Sequence, residues 1–182
     1  MFAIRRATLD DLESMTSVYI AAWRHGFQQM FTAGVFARDA FASDRATECR
    51  EVLTNELTDT FVVETDRGLI GFASVHITHA CADLEDIWLH PSSWGTGAAA
   101  ALVSTIEEEL RSIGGVRLTA WVPEDSPSGR RFFDKMGWRT TGTIEPLGLY
   151  IEQPNRLFEY ERVLAVVDVT HGIPRPATAL RI

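Results

Sequence analysis

The stretch that decides the fold runs from residue 84 to residue 102, LEDIWLHPSSWGTGAAAAL. Leu84 to Leu89 has the composition of a strand, Pro91 breaks it, and Gly95 and Gly97 lead into the alanine run Ala98 to Ala101. Proline removes a ladder donor and stops strand pairing. The two glycines admit backbone conformations that other residues avoid, and the alanines carry the chain into a helix without bulk. A strand, a tight turn and a helix in this order expose several amides at the positive end of a helix, where an anion is stabilised. Small residues at this point also let a helix pack close to a sheet, so glycine spacing alone leaves both readings open. No Lys-Ser/Thr pair follows the glycines, as a P-loop requires, and no dinucleotide fingerprint with its downstream acid is present. The turn therefore points to a phosphate ligand other than a simple nucleotide.

Downstream of this turn, residues 97–112 read as a helix with Leu102, Val103, Ile106 and Leu110 on one side, ending at Gly114-Gly115. Val116–Val122 returns to strand. Ser126-Pro127 opens a second helix with a hydroxyl N-cap and proline at the first helical position, and Gly137 closes it. Trp138–Val163 reads as strands separated by turns. Upstream, Thr60–Thr65 and Leu69–Thr78 flank Asp66-Arg67-Gly68 and predict a hairpin. Residues 3–7 read as a short strand, followed by a capping-box-like start in which the Thr8 hydroxyl is available to the amide three residues on. Leu12, Met15, Val18, Tyr19, Ala22 and Trp23 then recur at helical spacing. An aromatic-rich stretch of less regular pattern spans 25–41, and a further helix is expected over 43–57 with Ala46, Cys49, Val52, Leu53 and Leu57 inward. The order β-α-α-β-β-β-α-β-α-β-β predicts a mixed α/β domain with a largely hairpin-connected sheet. The domain is expected to span residues 1–166, with 167–182 as a C-terminal tail.

Composition narrows the function classes. The 182 residues are 46% hydrophobic and 23% charged, as in an ordinary globular domain. A formal net charge of −8 argues against a nucleic-acid partner, which wants a basic surface, and suits a cationic acceptor. Cys49 and Cys81 have neither metal-ligand spacing nor the number of a disulfide framework, which predicts a reducing compartment. No apolar run reaches the ~18 residues of a membrane span. The N-terminus shows no secretion signal. The expected location is the cytoplasm, with no membrane partner.

Ile87–Leu102 resembles motif A of the GNAT (GCN5-related N-acetyltransferase) superfamily, a strand, then Val/Leu-x-Pro, then Gln/Arg-x-x-Gly-x-Gly/Ala. Gly97 and Ala99 fill the last two constrained positions, Pro91 sits at the expected distance, and Trp94 replaces the usual Gln or Arg. Val122–Trp138 resembles motif B, whose aromatic-x-x-x-Gly-aromatic signature is here Phe133 to Trp138. The resemblance covers about residues 3–164. It implies a twisted, mostly antiparallel sheet flanked by helices, with a splay between two central parallel strands that admits acetyl-CoA. The backbone of Ile87, Trp88 and Leu89 is then expected to hold the pantetheine arm. The turn of Trp94, Gly95, Thr96, Gly97, Ala98, Ala99 and Ala100 is expected to cradle the pyrophosphate. Ser126, where many relatives carry Asn, and Phe133, where many carry Tyr, complete the expected donor site. No metal is implied, and a homodimer through the C-terminal strand and tail is one arrangement the family allows.

Direct acyl transfer needs a deprotonated amine, a polarised thioester carbonyl and a stabilised leaving thiolate. The base is expected near the strand ending at Leu89. Glu85 is the first candidate and Asp83 the second, on the face of Ile87 and Leu89 if the strand is regular, with Asp86 pointing the other way. Solvated edge carboxylates have the same pattern, and His76 and His79 are further titratable groups that ordinary surface packing also explains. Phe133 has no proton to give the thiolate. Two readings follow: an N-acetyltransferase acting on a primary amine of a small molecule or peptide, or a catalytically weak acyl-CoA-binding sensor or scaffold. Trp23, Phe27 and Phe31 are candidates for the acceptor groove, with core packing as the alternative.

Overall fold

Apolar residues two apart in the strands and three or four apart in the helices give each element a face to bury. In the computed structural model these faces meet on the two sides of one sheet. The structure describes residues 1–26, 39–78, 80–146 and 156–164. The elements in chain order are β1 (Ala3–Arg6), α1 (Leu12–Gly26), α2 (Asp39–Thr54), β2 (Thr58–Thr65), β3 (Gly68–Thr78) and β4 (Cys81–Leu89), then α3 (Ala98–Ser112), β5 (Arg117–Pro123), α4 (Pro127–Lys135), β6 (Arg139–Pro146) and β7 (Arg156–Val163). The order is the one expected from the sequence, while several boundaries differ. α2 ends at Thr54, and the Asn55 side chain accepts the Leu57 N–H at 3.0 Å, turning the chain out of the helix. Leu57 is consequently exposed and not inward. Before α1 a 3-10 turn at Leu9–Asp11 satisfies the Asp11 amide through the Thr8 carbonyl at 3.0 Å. The Asp11 carboxylate accepts the Thr8 N–H at 2.8 Å and the Thr8 hydroxyl at 3.2 Å, closing the expected capping box from the Asp11 side. The expected domain end at 166 and the tail 167–182 lie outside the described residues.

The strands form a mixed sheet in the order β1-β2-β3-β4-β5-β7-β6. Every neighbouring pair is antiparallel except β4 and β5. That parallel pair is joined by α3, as a crossover requires. Both faces of the central strands are covered, which is why Phe61, Val62 and Val63 are all buried in a continuous apolar run. On one face α3 packs Leu102, Val103, Ile106 and Leu110 against Phe61, Val63, Ala73, Val75 and Leu84, and α4 adds Phe133. On the other face α1 contributes Met15, Val18, Tyr19 and Trp23, and α2 contributes Phe41 and Cys49, over Val62 and Phe72. Among the described residues no helix is long and apolar enough to cross a membrane.

Candidate active site

Two features of β4 create the site, a lost partner on one edge and a bulge on the other. β4 and β5 pair only from Cys81–Arg117 to Leu84–Ala120, although β4 continues to Leu89 and β5 to Pro123. Beyond that point the two strands diverge, leaving a wedge in the middle of the sheet. The β3–β4 ladder fixes which peptide groups face it. His90 N–H donates to the Ile70 carbonyl at 2.9 Å, so the opposed pairs Phe72/Trp88 and Ser74/Asp86 are the hydrogen-bonded ones. The peptide groups of Ile87 and Leu89 therefore turn away from β3 into the wedge, while those of Trp88 turn to β3. Of the three residues expected at the pantetheine arm, Ile87 and Leu89 turn their peptide groups toward the wedge and Trp88 turns its own toward β3.

At the wide end of the wedge the chain turns into α3. Gly95 and Gly97 adopt φ of +76° and +88°, and Gly97 is the residue before the helix. A side chain at either would meet nothing within 4 Å, so these positions require glycine for their backbone conformation and not for space. The Ala98 amide donates to the Thr96 hydroxyl oxygen at 3.4 Å, and the first-turn amides of Ala99 and Ala100 open toward the turn, as an anion site at a helix N-terminus demands. The Thr96 hydroxyl donates to the Ser93 carbonyl at 2.8 Å and tightens the loop. Trp94 has an anchoring role here: its indole N–H donates to the Leu89 carbonyl at 3.1 Å, and its ring meets His25 of α1 edge-on at 4.9 Å. The indole thus ties the turn to the end of β4 through a side chain unlike the usual Gln or Arg. Ser126 accepts the Gly129 N–H at 3.3 Å, which is its N-capping role. Phe133 is buried against Phe132, Trp138 and Tyr160.

The second feature is a bulge. Ser74 opposes Asp86 and Val75 opposes Leu84, which leaves Glu85 as an extra residue on β4. A regular strand would place Glu85 with Ile87 and Leu89. The extra residue shifts the alternation, so Leu84, Ile87 and Leu89 pack toward α3 while Trp88 packs with the α1–α2 cluster. Glu85 and Asp86 both line an open cleft of about 250 Å³ beneath α1 and α2, together with Tyr19, Glu48, Glu51 and Phe72. The expected separation of Glu85 from Asp86 is thereby overturned. Asp83 lies nearer the paired end of β4, where it accepts a hydrogen bond from the buried Thr119 hydroxyl and is outside the cleft lining.

Glu85 reaches solvent at the cleft mouth, yet burial raises its carboxyl above the ordinary glutamate range, with His76 opposing and Asp86 adding to the rise. Among the described residues it accepts one hydrogen bond, from Thr58 Oγ1, which is long at 3.5 Å. Asp86 is held more firmly, by the Ser74 hydroxyl at 2.7 Å and the Trp88 indole N–H at 2.8 Å. The Tyr19 hydroxyl donates to Glu48 at 2.9 Å. Burial, followed by the charges of Asp86 and Glu48, pushes the Tyr19 hydroxyl up. Burial likewise pushes the Cys49 thiol up to about 11, which leaves it an inert wall of the cleft. Trp23 does not line the cleft; it backs it, with Trp88 stacked at 6.2 Å and the Arg45 guanidinium 4.9 Å from its ring centre. Phe27, Phe31 and His79 lie outside the described residues. Tyr19, Glu48, Glu51 and Phe72 are the cleft residues that sequence reasoning missed. Tyr19 was legible as part of an apolar stripe, but nothing local to Glu48 or Glu51 distinguishes them from solvated helix carboxylates.

A parallel strand pair that loses its pairing beside a glycine turn into a helix, with a titratable cleft alongside, gives this mixed α/β fold its candidate site. The profile of the acetyltransferase (GNAT) family matches residues 19–138, and the chain belongs to that family. Solved structures of similar fold include the PaiA N-acetyltransferase from Thermoplasma acidophilum in complex with coenzyme A, at 18% identity and TM-score 0.74 over 90% of this chain and 99% of that one. An N-acetyltransferase from Staphylococcus aureus Mu50 aligns at 19% identity and TM-score 0.69 over 90% and 98% of the two chains. The ribosomal-protein-S18-alanine N-acetyltransferase from Escherichia coli aligns at 16% and 0.64 over 95% and 100%. At these identities the likeness is one of fold. No protein of curated function matches the sequence.

Proposed function

We propose that the protein transfers an acetyl group from acetyl-CoA directly to a primary amine of a small molecule or peptide. The observation that carries the reading is the arrangement along β4. Ile87 and Leu89 present peptide groups into the splay, the Gly95–Gly97 turn lies at one end of this edge, and Glu85 lies at the other on the cleft side. These residues fit the donor. The turn and the first α3 amides offer N–H groups to a pyrophosphate, and the unpaired edge of β4 offers peptide groups to the pantetheine amides. Acetyl-CoA supplies an activated thioester. Glu85, with its raised proton affinity, takes the proton from the incoming ammonium. The Ile87 and Leu89 N–H groups lie where they would stabilise charge developing on the acyl oxygen. A C–N bond forms, the C–S bond breaks, the nitrogen gives its second proton to water as the amide forms, and the thiolate takes a proton from water, because Phe133 offers no hydroxyl.

Phe133 supports a second reading, a weakly catalytic acyl-CoA-binding sensor, since it removes the family's usual side-chain proton donor and is buried in the core of α4. Calorimetric titration of the protein with acetyl-CoA, alongside Gly97→Trp, followed by a thiol-release assay over an amine panel, tests both. Micromolar binding lost in Gly97→Trp, with thiol release on an amine, supports the transferase. Binding without release on any amine supports the sensor, and no binding by the native chain sinks both. Cytoplasmic residence and dimerisation are further parts of this proposal; fractionation and light scattering check them.

A further inference from the structure

The bulge at Glu85 has a chemical consequence. In a regular strand consecutive side chains point to opposite faces, so neighbouring carboxylates stay apart. Here one extra residue places Glu85 and Asp86 side by side on the lining of one cleft. Asp86 is fixed there by two neutral donors, one to each oxygen. The Ser74 hydroxyl, wholly buried, reaches Oδ2 at 2.7 Å, and the Trp88 indole reaches Oδ1 at 2.8 Å. Neutral donors hold a carboxylate in position without cancelling its charge. Trp88 is itself clamped, with its ring 4.7 Å from that of Tyr19 and 6.2 Å from that of Trp23.

We propose that Asp86 is a positioning residue for Glu85: tethered by Ser74 and Trp88, its carboxylate keeps Glu85 basic enough to accept the proton of the acceptor amine. The inference rests on the reading of Glu85 as the base. Among the described residues the charged and titratable groups around Glu85 are His76 of β3, Asp83 and Asp86 of β4, and, across the cleft, Glu48, Cys49 and Glu51 of α2 and Tyr19 of α1. Asp86 is the one among them that is both adjacent and doubly tethered. Its charge is felt across the cleft as well, adding to the burial that raises the Tyr19 hydroxyl and the Cys49 thiol. The aromatic clamp thus serves a polar end: it supports Trp88, whose indole N–H orients Asp86.

The test is an NMR titration of the full chain carrying glutamate labelled at the side-chain carboxyl carbon, with Glu85→Gln used to assign the Glu85 signal. In the native chain Glu85 titrates above the ordinary glutamate range. Asp86→Asn lowers its midpoint by about one pH unit, the scale of one close like charge. Ser74→Ala, which keeps the charge and removes one tether, lowers it by less. An unchanged midpoint in Asp86→Asn overturns the proposal. So does an equal fall in both variants, because that would trace the effect to repacking and not to charge. If Asp86→Asn does not fold, Asp86→Ser is read in the same way. With an acceptor in hand, the acid limb of kcat/KM moves to lower pH in Asp86→Asn, which a purely structural role would not produce. The titration needs no acceptor, so a raised Glu85 without turnover on any amine counts against the transferase reading alone.

Discussion

The turn between β4 and α3 follows the end of β4, the cleft beneath α1 and α2 draws on its middle, and the two are built from different materials. The turn is made of backbone: left-handed glycines, first-turn amides and the unpaired edge of β4. The cleft is made of side chains drawn from α1, α2, β3 and β4, which are as far apart in sequence as Tyr19 and Asp86. A backbone site depends on conformation and tolerates exchange of side chains, as Trp94 in place of Gln or Arg illustrates. A side-chain site depends on each residue's chemistry, and a change there alters the reaction or its acceptor.

The strongest challenge to this contrast is Glu85→Gln. If the cleft supplies the base, kcat falls by about 100- to 1,000-fold, the usual scale for a general base, while the acetyl-CoA dissociation constant in calorimetry barely moves. The native enzyme should also lose kcat/KM as the pH falls. The sign follows from the raised Glu85 carboxyl: the base works only when deprotonated, so its acid limb lies above the ordinary glutamate value of about 4.3. Glu85→Gln lacks that limb. Gly97→Trp is the reciprocal change. It forces a side chain onto a backbone at φ +88° and weakens acetyl-CoA binding by about 10- to 100-fold, with bending of the turn as the cause. Tyr19→Phe removes the hydrogen bond to Glu48 and raises the acceptor KM about threefold, the net scale of one such bond, with donor affinity unchanged. Trp94→Gln is the smallest. It exchanges an exposed indole for a family-typical amide and changes acetyl-CoA affinity by less than about threefold, because the N–H groups of the turn remain. A large loss in Trp94→Gln, or a small one in Gly97→Trp, would reverse the assignment of backbone and side-chain roles.

The same division explains what was legible. Pro91, Gly95, Gly97 and the alanine run carry the glycine turn into α3 within a dozen residues, and Phe133 to Trp138 carries the second motif. Both act locally, so local sequence shows them. The end of α2 was misplaced because Asn55 stops the helix through a side-chain bond to Leu57, a detail the apolar spacing does not register. The faces of Glu85 and Asp86 were misassigned for a stronger reason. A bulge is a property of two paired strands, set by how β3 and β4 register between Ser74 and Val75, and β4 alone reads as regular.

The sequence by itself determined the element order, the glycine turn into α3 and the family, because each depends on residues close together in the chain. Only the tertiary structure decided which peptide groups of β4 face the splay, that Glu85 and Asp86 share a cleft, and that Tyr19, Glu48 and Glu51 join them. Those facts depend on strand register and helix docking, where long-range packing sets the direction of every side chain.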